Sequence, residues 1–364
     1  MDKIKAFLVR KGIVCSFRQY GVDALGAMAQ GLFCTLLVGT ILNTLGQQLH
    51  IGFLTAPVVS VGTVSYTVGG LASAMVGPGI AVAIGTALHC PPLVLFSLIP
   101  VGFAANAMGG AGGPLAVYAV TIIAAELGKL VSKETRIDIL VTPCVTVIAG
   151  IAVAQLIAAP IGTAARAVGL AIMWATELQP FFMGVLVSAL IGIALTLPIS
   201  SAAICAAFGL TGLAGGAAVA GCCAQMVGFA VMSFKENRWG GLVAQGVGTS
   251  MLQMPNILKN PRIWIPPTLA SMITGPLATC VFKLQMNGSP VSSGMGTCGF
   301  VGQIGVYTGW VSDIAAGTKA AITPMDWIGL VLICFILPAV LSTLFCRVLE
   351  KRGWIREGDM KLDL

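Results

Sequence analysis

The chain has 364 residues, 57% of them hydrophobic and only 9% charged, with a mean hydropathy of +0.96. That leaves too little ionic surface for a water-soluble globule. The net charge of +7 sits in short basic clusters beside apolar runs, a membrane-topology signal that excludes a nucleic-acid footprint. No Asp, Glu, Lys or Arg lies between Asp23 and Glu126, nor between Glu177 and Lys235. Lipid hydrocarbon is the natural solvent of such stretches, so the chain reads as an all-α polytopic membrane protein.

In chain order, residues 1–21 predict an amphipathic helix on the cytoplasmic surface. Lys3, Lys5, Arg10, Lys11 and Arg18 interrupt the apolar residues, which excludes a signal peptide. Ten candidate spans follow: 22–45, 64–86, 91–108, 114–130, 139–160, 178–198, 201–232 (long, glycine-rich and open to a break), 242–254, 264–283 and 327–349. Together they make one transmembrane domain over 22–349, with broken or re-entrant segments and a cytoplasmic tail over 350–364. Basic residues before the first span and after the last place both termini in the cytoplasm.

The two halves, about 22–160 and 178–349, echo each other. Glycines eight apart at Gly31 and Gly39 match Gly184 and Gly192, with Thr35 corresponding to Ser188. Arg136-Ile-Asp-Ile-Leu-Val-Thr-Pro echoes Arg262-Ile-Trp-Ile-Pro-Pro-Thr. Internal duplication of this kind is common in transporters. The glycine doublets at Gly109-Gly110, Gly112-Gly113 and Gly215-Gly216 serve either close helix packing or helix breaks.

The eleven cysteines form no C-x-x-C and read as small buried hydrophobes. With His50 and His89 as the only histidines, no zinc constellation assembles, and no metal, cofactor or catalytic residue is expected. Glu126, with Lys129 one turn on, reads as a helix-end ion pair.

The polar side chains concentrate downstream of Gln225. On a helix Gln245, Thr249 and Gln253 stand four apart on one face with Ser250 beside it, and Asn256 and Thr268 follow among Pro255, Pro261, Pro266 and Pro267. Amides and hydroxyls both donate and accept hydrogen bonds, which suits a neutral polyol. Such a stripe is either interhelical glue or a solute contact, and its density beside helix breaks favours the solute. Glu236, next to Asn237 and flanked by Lys235 and Arg238, is either a surface ion pair or an acid facing a cavity. The glycine-studded run 287–305, with Thr297 and Gln303, fits a re-entrant hairpin lining an aqueous cavity. It lacks G-x-x-x-x-G-K-[ST], which argues against an ATP-driven pump.

The run Gly221-Cys-Cys-Ala-Gln-Met-Val-Gly-Phe-Ala, the block from Gln245 to Ile257, Asn260-Pro-Arg-Ile-Trp-Ile-Pro-Pro-Thr and Gly294-Met-Gly-Thr-Cys-Gly-Phe-Val-Gly-Gln together resemble the bacterial phosphotransferase-system EIIC membrane proteins. Within them the nearest likeness is to EIIC-like permeases of the PfoR-like toxin-regulator group. The resemblance implies a dimeric permease of the bacterial cytoplasmic membrane, moving a small polar solute, a sugar, by alternating access. It also implies a separate EIIB protein as phosphoryl donor, because this chain carries no phosphoryl-carrying module of its own. An ion-coupled carrier and a non-transporting membrane sensor are the alternatives. The residues expected to meet the solute are Gln225, Glu236, Asn237, Gln245, Thr249, Ser250, Gln253, Asn256, Thr268, Thr297 and Gln303.

Overall fold

The computed structural model describes residues 7–13 and 16–362. The expected surface helix over 1–21 lies partly outside them; residues 7–10 are helical, and the first long helix begins at Arg18. The protein is almost wholly helical and divides into two compact units, Met1–Ala164 and Ala165–Leu364.

Among the described residues five helical runs are long and apolar enough to cross a membrane: Arg18–Gln48, Pro92–Val131, Asp138–Thr176, Gly212–Met232 and Pro324–Lys351. A sixth forms if Val68–Ala74 and Val76–Ala87, bent by 54° at Met75, count together. This is fewer than the ten expected, and the reasons are local. The run Pro92–Val131 holds two of the expected spans. It turns at Gly110 (φ 52°, ψ −123°), where a Cβ would be strained, and Ala116 folds back against Gly109. Residues seven apart in one helix could not meet in this way.

The expected span 64–86 starts too early, because Val64–Tyr66 pairs with Val59–Val61 as a small antiparallel hairpin around Gly62 (φ 62°). Thr67 then caps the following helix by accepting from the Gly70 N–H at 3.0 Å. The expected span 139–160 runs on through Pro160 to Thr176. The span 201–232 does break, into Ser201–Ala207 and Gly212–Met232, with Gly209 and Gly212 at positive φ. The span 242–254 is no continuous helix. It is a π-turn Ala244–Gly248, an extended Thr249 and a 3-10 turn Ser250–Gln253.

Within the second unit, Gly212–Met232 is the central element, with 94% of its most apolar window buried. Pro180–Thr196 and Ile265–Pro276 pack on it and on each other. Glycine permits the approach: a Cβ at Gly192 would stand 2.8 Å from the Gly221 carbonyl oxygen, and one at Gly221 would collide with the Ser188 carbonyl. Val219, Ala220 and Cys223 of the same helix join Trp310, Ile333 and Cys334 in a buried apolar cluster.

The echo between halves has a packing counterpart inside each unit. Gly31 and Thr35 lie against Gly79 in the first, as Gly184 and Ser188 lie against Gly275 in the second. In the first unit Lys129, 1% exposed, pairs with Glu126 at 3.1 Å, as its one-turn spacing predicted.

Candidate functional site

The polar residues singled out from the sequence all lie in the second unit, in three groups along or beside Gly212–Met232. The first centres on Gln225, fully buried in that helix. Its amide nitrogen donates to Thr268 Oγ1 at 3.2 Å, and its oxygen accepts from Trp264 Nε1 at 3.0 Å. The Thr196 hydroxyl lies 3.3 Å from the same oxygen and 2.8 Å from Ser250 Oγ. Thr196 and Trp264 were not singled out; each stands in a run otherwise read as apolar span.

The second group is a directional chain of amides. Asn256 Nδ2 donates to Gln253 Oε1 at 2.9 Å, and Gln253 Nε2 donates to Gln245 Oε1 at 2.9 Å. Gln245 Nε2 in turn reaches Ser233 Oγ at 2.9 Å and the Gly241 carbonyl at 3.0 Å. Gln245 and Gln253 are completely buried. The residues meet as their spacing suggested, but not on one helix. Thr249 is extended (φ −158°, ψ 142°), and its hydroxyl leaves the stripe to accept from the Met251 N–H at 3.2 Å. A helix through this region would lose a bond at Pro255, whose nitrogen has no hydrogen to donate.

The chain's C-terminal segment lies on this second group. Glu236 accepts from the Gly358 and Met360 N–H groups, each at 3.1 Å. Asn237 donates to the Met360 carbonyl at 2.8 Å and accepts from the Leu362 N–H at 2.8 Å. Gln253 Nε2 donates to the Met360 carbonyl at 2.9 Å, and Asn256 Nδ2 donates to the Lys361 carbonyl at 2.8 Å. Glu236 forms no ion pair with Lys235 or Arg238 among the described residues. Burial pushes its carboxyl above the ordinary value, although the two tail N–H groups pull it back.

The third group holds Thr297 and Gln303. The expected hairpin is an irregular turn with Gly296, Gly299 and Phe300 at positive φ, followed by the helix Val301–Ala315. It is buried against Cys222 and Cys223. Thr297 donates to Met226 Sδ at 3.5 Å, and Gln303 Nε2 lies 3.2 Å from Cys223 Sγ. Among the described residues Gln303 Oε1 is buried without a hydrogen-bond partner, which is costly unless another group meets it.

A polar cavity of about 510 Å³ opens elsewhere in the same unit, lined by Lys283, Asn287, Trp310, Asp313, Lys319 and Asp326 among others. It lies at the start of Pro324–Lys351, whereas the tail docks just beyond the end of that helix. Twenty-eight residues separate the two ends, roughly 42 Å at 1.5 Å per residue.

Buried amides and hydroxyls, with one part-buried carboxyl, gathered among apolar, membrane-length helices mark an integral membrane protein. A family model described as phosphotransferase system, EIIC matches residues 22–362. The chain belongs to that family, and its work is membrane transport of the phosphotransferase-system kind. No curated protein and no solved structure matches it.

Proposed function

We propose that the protein is the membrane permease component of a phosphotransferase-type system, translocating a small neutral polar solute, a sugar, by alternating access. Its phosphoryl donor is a separate EIIB protein. The setting is the bacterial cytoplasmic membrane, with both termini inside and two chains forming a dimer built from related halves. Within the family we place it with the PfoR-like group.

The observation that carries this reading is the set of uncharged hydrogen-bonding groups buried around Gly212–Met232. A sugar hydroxyl needs both donors and acceptors, and the cluster offers amides that do both, hydroxyls, and one carboxyl. Gln225, Gln245, Thr249, Ser250, Gln253, Asn256 and Thr268 supply the uncharged groups, and Glu236 and Asn237 the edge nearest the tail. Thr297 and Gln303 line or gate the path, the unpartnered Gln303 Oε1 being free to accept from a solute hydroxyl.

The test is a thermal-shift screen of sugars and polyols on purified protein, followed by calorimetry on the hit with Gln253→Ala. A sugar that stabilises the wild type and binds the variant at least about tenfold more weakly supports the reading. Unchanged affinity removes Gln253 from the site, and a screen with no stabilising polyol counts against a sugar substrate.

A further inference from the structure

We propose that Glu236, Asn237, Gln253 and Asn256 form a main-chain-reading peptide site whose occupant is the protein's own segment 358–362, and that a seated tail keeps solute off these four side chains. The inference rests on the permease reading for the identity of what is excluded, but the peptide site stands on its own contacts.

Every bond these four side chains make to 358–362 goes to backbone: the N–H groups of Gly358, Met360 and Leu362, and the carbonyls of Met360 and Lys361. Asn237 grips the carbonyl of Met360 and the N–H two residues on, the pair of groups that a neighbouring β-strand would take. Glu236 holds the N–H groups of Gly358 and Met360 across the turn at 357–360. The segment is held through its main chain while being turned rather than extended, the Lys361 N–H bonding the Gly358 carbonyl at 3.3 Å.

The segment is also delivered and anchored. Asn260 donates to the Trp354 carbonyl at 3.0 Å and to Asp359 Oδ2 at 2.7 Å, and the Arg262 guanidinium stacks 5.1 Å over the Trp354 ring. Ile355 and Met360 are 3% and 2% exposed, so two apolar side chains pin the segment at either end of its loop. Gly358 takes φ 94°, which turns the chain between them.

Undocking releases a specific set of groups. Glu236 regains both carboxylate oxygens and Asn237 both ends of its amide, while Gln253 and Asn256 keep their mutual bond and each free one hydrogen. The freed set, two carboxylate oxygens with several amide donors, is what a polyhydroxylated ring requires. Peptide and solute therefore compete for the same hydrogen-bonding positions.

The experiment is hydrogen exchange by mass spectrometry on the full chain in phosphatidylethanolamine–phosphatidylglycerol liposomes, wild type against Asn237→Ala and Glu236→Gln. Amides of 358–362 should be protected in the wild type and exchange about tenfold faster or more in both variants, with Gly212–Met232 unchanged as the internal control for folding. Adding the sugar that binds the wild type should also speed their exchange. Tail amides exchanging at the solvent rate in the wild type, or unaffected by both variants, overturn the peptide site. A sugar that binds without altering tail exchange overturns the exclusion while the permease reading survives. Protection lost in the variants, with no sugar bound by any form, keeps the peptide site and removes the sugar.

Discussion

At Gln253 one side-chain amide meets three partners: the Gln245 oxygen, the Met360 carbonyl and the Asn256 nitrogen. Replacing it by alanine strands an Asn256 hydrogen and the Gln245 oxygen in a buried setting, while the Met360 carbonyl keeps its bond from Asn237. Gln253→Ala should therefore cost about 1–3 kcal/mol, read as a lowered unfolding temperature in detergent. Gln253→Glu should be worse, since a carboxylate oxygen would face the Gln245 and Met360 oxygens where a donor now stands. A variant as stable as the wild type would mean that the ladder is not the network described. A second residue-scale expectation concerns Glu134, whose carboxylate takes Lys11 at 2.6 Å and Arg10 at 2.7 Å. The hydrogen bond from Lys11, helped by Arg10, holds its carboxyl below the ordinary 4.5. A lowered acid favours the docked state above its free value, and that contribution is lost as pH falls through the lowered value. Hydrogen exchange in residues 7–13 should accelerate as pH drops below 4.5, after correction for intrinsic rates, and Glu134→Gln should abolish the pH step.

The elements show where sequence reasoning reached and where it stopped. Membrane-length helices were legible because charge-free apolar runs have only one solvent, and Pro324–Lys351 follows that expectation closely. The partners Gln245, Gln253 and Asn256 were legible as a group because residues eight and three apart, about two turns and one turn, stay near each other in any tight coil. Their backbone was not: Pro255 and the glycines at 246 and 248 replace the expected helix with turns. The docked tail was invisible, since its recognition uses main-chain atoms that every sequence possesses. Glycine contacts had a clear signal in composition but not in pairing. The Gly221 contact with Ser188 tests that packing. Gly221→Ala should push Pro180–Thr196 away from Gly212–Met232 and cost about 1–3 kcal/mol of stability, measured by detergent unfolding. Gly240→Ala, where a Cβ meets open space, should be near neutral.

At the scale of the whole molecule, family membership and buried polar chemistry point the same way. The second unit offers a polar cavity at one end of Pro324–Lys351 and a tail-covered amide cluster at the other, with Gln225 and its partners buried in the helix at its centre. A permease must expose such groups alternately to the two sides. The most direct test is uptake of radiolabelled sugar into right-side-out vesicles carrying this chain, loaded or not with an EIIB partner and a phosphoenolpyruvate-driven phosphoryl supply. The account predicts that sugar accumulates inside as its phosphate only when the chain and the phosphoryl supply are both present, and that an uncoupler leaves this accumulation intact. Accumulation that collapses with the uncoupler and ignores the phosphoryl supply, or no flux of any sugar, would contradict it.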